Sequence, residues 1–460
     1  MLSKCIFQTR KEVDVAKPQE KVLGEEHYFQ PEIETMSRSD LDALQLKRLQ
    51  ETVMNCYEHI DFYRQAFESA GIYPHSVQSL DDLRNLPFTY KQDLRDHYPF
   101  GMFAIDVHDV QRLHASSGTT GNATVVGYTQ TDIDNWGDTF ARTIAMAGGG
   151  PQSIVQISYG YGLFTGGLGA HEGCIRMGAT IVPMSSGNTK RQVQLMRDFD
   201  VDILACTPSY ALLIADTAIE MGFDPARDFK ISGAILGAEP CSEGMRAEIE
   251  TKLGVTVVDI YGLSEVMGPG VSCECRYQDG LHVAEDHFII EILDPDTLEP
   301  VPDGEWGEVV FTTLTKQCTP LIRYRTRDIS RIVPGACRCG RTHRRMDRIT
   351  GRTDDMLIIR GVNVFPNQFA EVLAEFGELT SYYQIVLTRQ GPLDHVTLLV
   401  ETTPEFGFDE ISAIAQLERR IGAELRSNLQ VGVDVQVVEP KSIERFEGKA
   451  KRIVDLRDQA

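Results

Sequence analysis

The sequence predicts an α/β fold: a large N-terminal domain with parallel sheets covered by helices plus an antiparallel subdomain, and a small mobile α+β C-terminal domain. Three observations predict it. From about residue 153, short apolar runs alternate with Gly- or Pro-marked turns and helical stretches, the pattern of a parallel sheet covered by helices. Between Phe288 and Thr313 the period shortens to strands and turns, with Pro295, Pro300, Pro302 and Gly304 as breakers. Past Asp354 a new mixture of strands and helices begins, which divides the chain into domains 1–353 and 354–460. A chain of 460 residues exceeds the size at which one core stops growing, so its length also asks for two domains.

Residues 1–36 carry mixed charge without a clear period and are expected to form a loosely ordered extension. Leu41, Leu44, Leu49, Val53 and Tyr57 roughly follow helical spacing, with Ser39 placed to cap the helix and Gly71 to end it. The candidate strands downstream are Ser153–Ser158, Ala179–Met184, Val201–Cys206, Ile231–Leu236 and Val255–Ile260, with helical stretches such as Thr189–Phe199 and Ser242–Leu253 between them. In a sheet of this kind ligands sit outside the carboxyl ends of the strands.

Charge excludes several function classes. The balance of 45 Lys+Arg against 67 Asp+Glu gives a net charge of -22, which repels nucleic acid and anionic lipid. No run approaches the ~20 apolar residues of a membrane span, and the N-terminus lacks the pattern of a secretory signal. A cytoplasmic protein without nucleic-acid or membrane partners is expected, its oligomeric state open and a homodimer among the options. The ten cysteines of such a chain are expected to be reduced, with close pairs more often binding metal than forming disulfides.

The run Ser116, Ser117, Gly118, Thr119, Thr120, Gly121 has the chemistry of a phosphate loop. Its two glycines free the backbone to turn N–H groups inward, and its four hydroxyls add donors. The flanks Val110–Ala115 and Thr124–Thr129 read as strands, whereas a Walker-type loop opens a helix and ends in Gly-Lys-Ser/Thr. Alone, the segment reads equally well as a polar hairpin.

That loop resembles the one in adenylate-forming acyl-CoA synthetases, and further matching stretches follow in order from about residue 40 to the end. They are Tyr159–Gly167, Gly237–Pro240, Tyr261–Glu265, Arg323–Asp328, Gly351–Asp355 and Gly448–Lys449. The resemblance implies an enzyme in which a carboxylate attacks the α-phosphorus of ATP, giving an acyl-adenylate and pyrophosphate, after which the thiol of CoA displaces AMP. It implies that Glu265 binds Mg2+, that Tyr261, Gly262 and Ser264 line the turn around the nucleotide, and that Gly237, Ala238, Glu239 and Asp259 border adenine. It further implies that Asp328 accepts the ribose hydroxyls beside Arg352, that Lys449 stabilises charge developing during adenylation, and that Asp354 is the hinge of the C-terminal domain.

Aromatic and small residues make a flat apolar slot, so Tyr159, Phe164, Ala170 and Gly237 are the expected contacts of an aromatic acid. The resemblance implies phenylacetate as the acid, with benzoate, aminobenzoate and indoleacetate types as alternatives. Outside enzymes, the rival is a zinc-bearing interaction protein whose loop binds no nucleotide. The acidic balance opposes it. A non-catalytic relative is opposed by the retention of Glu265, Asp328 and Lys449.

One position departs from the resemblance: Asn122 stands where those enzymes usually have lysine, removing a cation from the phosphate site. Asn122→Lys is therefore expected to lower the apparent KM for ATP.

Two Cys-x-Cys pairs, Cys273/Cys275 and Cys337/Cys339, occur with His282 near the first. Zn2+ takes four N or S ligands in a tetrahedron, so a structural zinc held by Cys275, His282, Cys337 and Cys339 is expected, with Cys273 as a substitute and free buried thiols as the alternative.

Overall fold

The computed structural model describes residues 27–116, 122–353, 357–359, 362–390, 393–407, 411–429 and 431–457. The chain opens on a short helix, α1 (Pro31–Glu34), followed by α2 (Arg38–His59) and α3 (Asp61–Ala70). The cap of α2 is Ser37, not Ser39: its side chain accepts from the Asp40 N–H. Ile60 adopts an extended conformation that divides the expected helix in two, so Gly71, in the left-handed region, ends α3. Of the extension expected to be loose, residues 1–26 lie outside the described residues, and residues 27–36 are tied down. The N–H groups of Phe29 and Gln30 donate to the Glu34 carboxylate at 2.8 Å, and Arg341 pairs with its other oxygen at 2.6 Å in full burial. A single buried ion pair has no periodic signature, which is why the segment read as loose.

Next come α4 (Lys91–Asp96) and an antiparallel pair, β1 (Arg112–Ala115) and β2 (Val125–Tyr128), with Ala115 opposite Val125. These are the two strands expected to flank the phosphate loop. Helix α5 (Gln130–Met146) begins with a reciprocal cap between Thr129 and Asp132 and is buried along most of its length.

The alternating region folds as β3 (Ile154–Ile157), α6 (Gly166–Met177), β4 (Thr180–Pro183), α7 (Thr189–Asp198), β5 (Ile203–Cys206), α8 (Pro208–Glu220), α9 (Pro225–Asp228), β6 (Gly233–Gly237), α10 (Glu243–Leu253) and β7 (Thr256–Leu263). Strands β4, β3, β5, β6 and β7 lie side by side and parallel. Every residue of β5 and β6 is buried, as strands covered on both faces require. The sheet then continues antiparallel through β8 (Gly268–Glu274) and β9 (Leu281–Val283), an extension the sequence pattern did not announce.

A second, antiparallel sheet holds β10 (Phe288–Leu293), β11 (Gly307–Thr313) and β12 (Tyr324–Ser330). The hairpin β13 (Ile332–Val333) and β14 (Arg345–Met346) returns to the first sheet beside β9, and β15 (Gly351–Arg352) closes the second against β12.

The C-terminal domain starts with the pair β16 (Leu357–Ile359) and β17 (Val362–Val364), then α11 (Pro366–Leu373). Its sheet combines β18 (Leu379–Gln390), β19 (Leu393–Thr402), β20 (Asp434–Val438) and β21 (Ile453–Asp455), packed under α12 (Ile411–Leu429) around Phe369, Ile385, Leu398 and Leu425. Tyr382 and Ile443 pack instead into the core under α8 and α10. Tyr382 donates to Asp216 at 3.1 Å and Ser381 to Glu248 at 2.6 Å, while Lys252 bridges both acids. The expected pivot, Asp354, lies outside the described residues.

Candidate active site

The β1–β2 pair is linked to the segment that follows β3 and to the turn that follows β7. Of the expected phosphate loop only Ser116 is described; Ser117, Gly118, Thr119, Thr120 and Gly121 lie outside the described residues. The base of the loop is nonetheless defined. Ser116 N–H donates to the Thr124 carbonyl at 3.1 Å, and the hydroxyls of Ser116 and Thr124 are hydrogen-bonded.

Thr124 links this base to the acid of the turn after β7, its hydroxyl donating to Glu265 Oε1 at 3.3 Å. Glu265 is 5% exposed, and Lys91 at the start of α4 places Nζ 3.2 Å from the same oxygen. Neighbouring Ser264 is also buried, its hydroxyl 3.1 Å from that of Thr165. A buried carboxylate next to hydroxyl oxygens suits a hard divalent cation. Gly262 is required here because a Cβ would collide with the Gly268 carbonyl.

The hairpin is also tied to the segment after β3. Ala115 N–H donates to the Leu163 carbonyl at 3.1 Å, and His114 Nδ1–H donates to the same oxygen at 2.9 Å. Burial lowers the His114 pKa to about 4, so the ring is neutral at pH 7. The hairpin base and the segment after β3 are thus joined at one carbonyl.

Asp328, 4% exposed, accepts from Tyr261 Oη at 2.5 Å and from Arg352 Nη1 at 3.1 Å. Burial, reinforced by Asp328, raises the Tyr261 pKa well above its ordinary value and keeps the phenol a donor. The pairing of β12 with β15 sets Asp328 opposite Arg352. Beyond β6, Ala238 takes a left-handed φ of 70°, a costly conformation for alanine, and Glu239 follows. Asp259 in β7 is partly exposed; lost solvation and then Glu274 raise its carboxyl pKa.

Glu239 reaches across the domains. One carboxylate oxygen accepts from Ser209 N–H at 2.6 Å and the other from Ala450 N–H at 2.8 Å. Thr207 donates to the Gly448 carbonyl at 3.1 Å. These contacts seat the segment carrying Lys449 on the carboxyl ends of β5 and β6.

The expected acid contacts divide. Tyr159 is buried and donates to the Ile235 carbonyl at 3.3 Å, close to Gly237, and Ala170 is fully buried in the same core cluster. Phe164 is 51% exposed. Sequence reasoning missed Lys91, Thr165 and the roles of His114 and Thr124. Only Thr124 and His114 carried a signal, by lying beside the loop.

Cys275, His282, Cys337 and Cys339 come together with all ligand atoms within 4.8 Å of one another. Their positions follow from the sheet extension. Cys275 follows β8, His282 lies in β9 and pairs with Arg345 of β14, and Cys337 and Cys339 occupy the β13–β14 connection. Cys275 Sγ lies 3.6 Å from Cys337 Sγ, and Cys339 Sγ lies 3.3 Å from His282 Nε2. Hydrogen bonding from Cys275 lowers the thiol pKa values of Cys337 and Cys339. Cys273 stands apart, its thiol turned to the Glu274 carbonyl at 3.2 Å.

The fold and this crevice define an adenylate-forming ligase, and the chain belongs to the AMP-binding enzyme family: residues 66–314 match the AMP-binding enzyme family and 361–457 the AMP-binding enzyme C-terminal domain. It is an acid–CoA ligase working through an acyl-adenylate. Among its relatives is the phenylacetate-coenzyme A ligase of Escherichia coli (strain K12), 50% identical over 428 residues that cover 93% of this chain and 97% of the relative.

Two solved states of a 2-hydroxyisobutyryl-CoA ligase superpose on the chain to different extents. The postadenylation state with 2-HIB-AMP superposes with a TM-score of 0.87 at 29% identity, covering 93% of this chain and 92% of that one. The thioesterification state with 2-HIB-AMP and CoA, at 30% identity and the same coverage, superposes with a TM-score of 0.69. Among the described residues no helix is long and apolar enough to cross a membrane.

Proposed function

We propose that this ligase activates an aromatic acid, phenylacetate first among the candidates, and transfers it to CoA in the cytoplasm. The observation that carries the proposal is the seating of the Lys449 segment on Glu239 and Thr207, in a chain half identical to a phenylacetate-coenzyme A ligase.

A carboxylate becomes an acyl donor only when AMP is its leaving group, so the site must manage phosphate charge and exclude water. The hydroxyls and N–H groups of Ser116 to Gly121 hold the phosphates, and Gly237, Ala238, Glu239 and Asp259 border adenine. Asp328, oriented by Tyr261 and Arg352, accepts the ribose hydroxyls. Mg2+, when bound, neutralises phosphate charge, with Glu265 as its protein ligand and Ser264 beside it. Tyr159, Phe164, Ala170 and Gly237 face the aryl group, and Lys449 stabilises charge developing as the acid attacks.

For CoA to enter, the C-terminal domain rotates about Asp354, at the boundary between 353 and 354. The higher superposition on the postadenylation state supports reading the present arrangement as the adenylating one. Proline fixes φ and opposes such rotation, so Asp354→Pro is expected to slow thioester formation at least tenfold more than pyrophosphate release, on the order of a hinge effect. Equal loss in both half-reactions would remove the hinge.

The Cys275, His282, Cys337 and Cys339 cluster is proposed to hold a structural zinc, four closed ligands leaving no open position for chemistry. The test of function is CoA-dependent AMP formation across arylacetic and benzoic acids. Phenylacetate is expected to give the highest kcat/KM. A benzoate, aminobenzoate or indoleacetate leading instead reassigns the acid, and no turnover with any acid removes the aryl assignment.

A further inference from the structure

We infer that Lys91 supplies the phosphate-binding cation that position 122 lacks, reaching the triphosphate from outside the loop; this rests on the adenylating function proposed above. The pair it makes with Glu265 is asymmetric. The Glu265 side chain is 7% exposed, whereas that of Lys91 is 41% exposed and ends in a freely turning ammonium.

The backbone beneath that side chain is fixed. Thr89 N–H donates to the Arg323 carbonyl at 3.1 Å, and its own carbonyl accepts from Arg325 N–H at 2.9 Å. Tyr90 N–H is capped by the Asp93 carboxylate at 2.7 Å, so α4 starts at a defined place with Lys91 as its first residue. A rigid anchor with a mobile tip suits a group that must exchange partners.

The exchange partner is set by Thr124, which joins Glu265 to Ser116 and so places the ammonium beside the base of the phosphate loop. Without nucleotide, Lys91 neutralises a carboxylate that has no other ion-pair partner among the described residues. When nucleotide arrives with its divalent cation, Glu265 gains a new partner and Lys91 is released towards the phosphate oxygens, which accept charge-assisted hydrogen bonds. Asn122, exposed at the far end of the loop, brings amide dipoles but no charge. Lys449 arrives on a different domain, so Lys91 is a cation already present when ATP first docks.

The test is MgATP affinity by calorimetry, measured beside the apparent KM for ATP and phenylacetate, for the full chain and its K91M, K91R, N122K and K91M/N122K variants. K91M is expected to weaken MgATP binding about tenfold or more while the KM for the acid stays within about twofold; K91R is expected to retain most of the affinity. Adding N122K to K91M is expected to recover most of the loss, and to tighten binding more there than in the wild type. The inference is overturned if K91M binds MgATP as the wild type does, or if N122K gives the same factor in both backgrounds. Unchanged thermal midpoints for K91M and K91R separate lost affinity from lost folding. A wild type that binds MgATP but converts no acid would sink the functional proposal and leave this comparison decisive.

Discussion

Lys449→Ala is expected to slow pyrophosphate release by about two to three orders of magnitude, the range seen when one group aimed at developing charge is removed. The effect should fall on kcat, because the ammonium matters most where charge builds up and little in ground-state binding. Thioester formation from a preformed aryl-adenylate is expected to stay within about threefold, since that half-reaction is proposed to run with the domain turned away. Separate assays of the two half-reactions read the difference directly. A variant that releases pyrophosphate at the wild-type rate would take Lys449 out of the chemistry and leave the segment's docking as its only role.

Purified protein is expected to carry about one zinc per chain, and Cys337→Ser or Cys339→Ser to abolish it. Either substitution leaves three donors crowded together, and the expected loss of stability is about 3 kcal/mol or more in a urea titration. Cys273→Ser is the control: its thiol faces the Glu274 carbonyl, so metal content is expected to be unchanged. Elemental analysis finding no stoichiometric metal would leave three buried thiols and a histidine in place of a metal centre.

The parallel half of the main sheet was legible because β3 to β7 are buried apolar runs separated by turn residues and helices, a pattern local in sequence. Its antiparallel extension was not. Strand β9 has three residues, and Cys273, Cys275 and His282, in or beside the two strands, read as metal chemistry before they read as strands. The convergence of Cys275, His282, Cys337 and Cys339 was legible from spacing, because Cys-x-Cys pairs bring donors together locally; that Cys273 turns away needed side-chain direction.

Polar contacts between distant segments left no trace. Lys91 meets Glu265, Arg341 meets Glu34, and Glu239 meets Ala450 only once the chain has folded. Nor could spacing foresee that Phe164 is half exposed while Ala170 is fully buried, since both sit in one run of small and aromatic residues.

The double engagement of Glu239 has a consequence for timing. Its two oxygens join a helix start in one domain to the Lys449 segment of the other, so the lid cannot lift without stripping one oxygen of its donor. Charge-assisted bonds of this sort are worth about 1.5–3 kcal/mol each, enough to change a two-state ratio tenfold or more. The same residue stands where adenine is proposed to lie, which makes it a latch that the nucleotide's presence can weigh upon. The enzyme's commitment to its second step would then be read out by one carboxylate choosing between a base and a backbone amide.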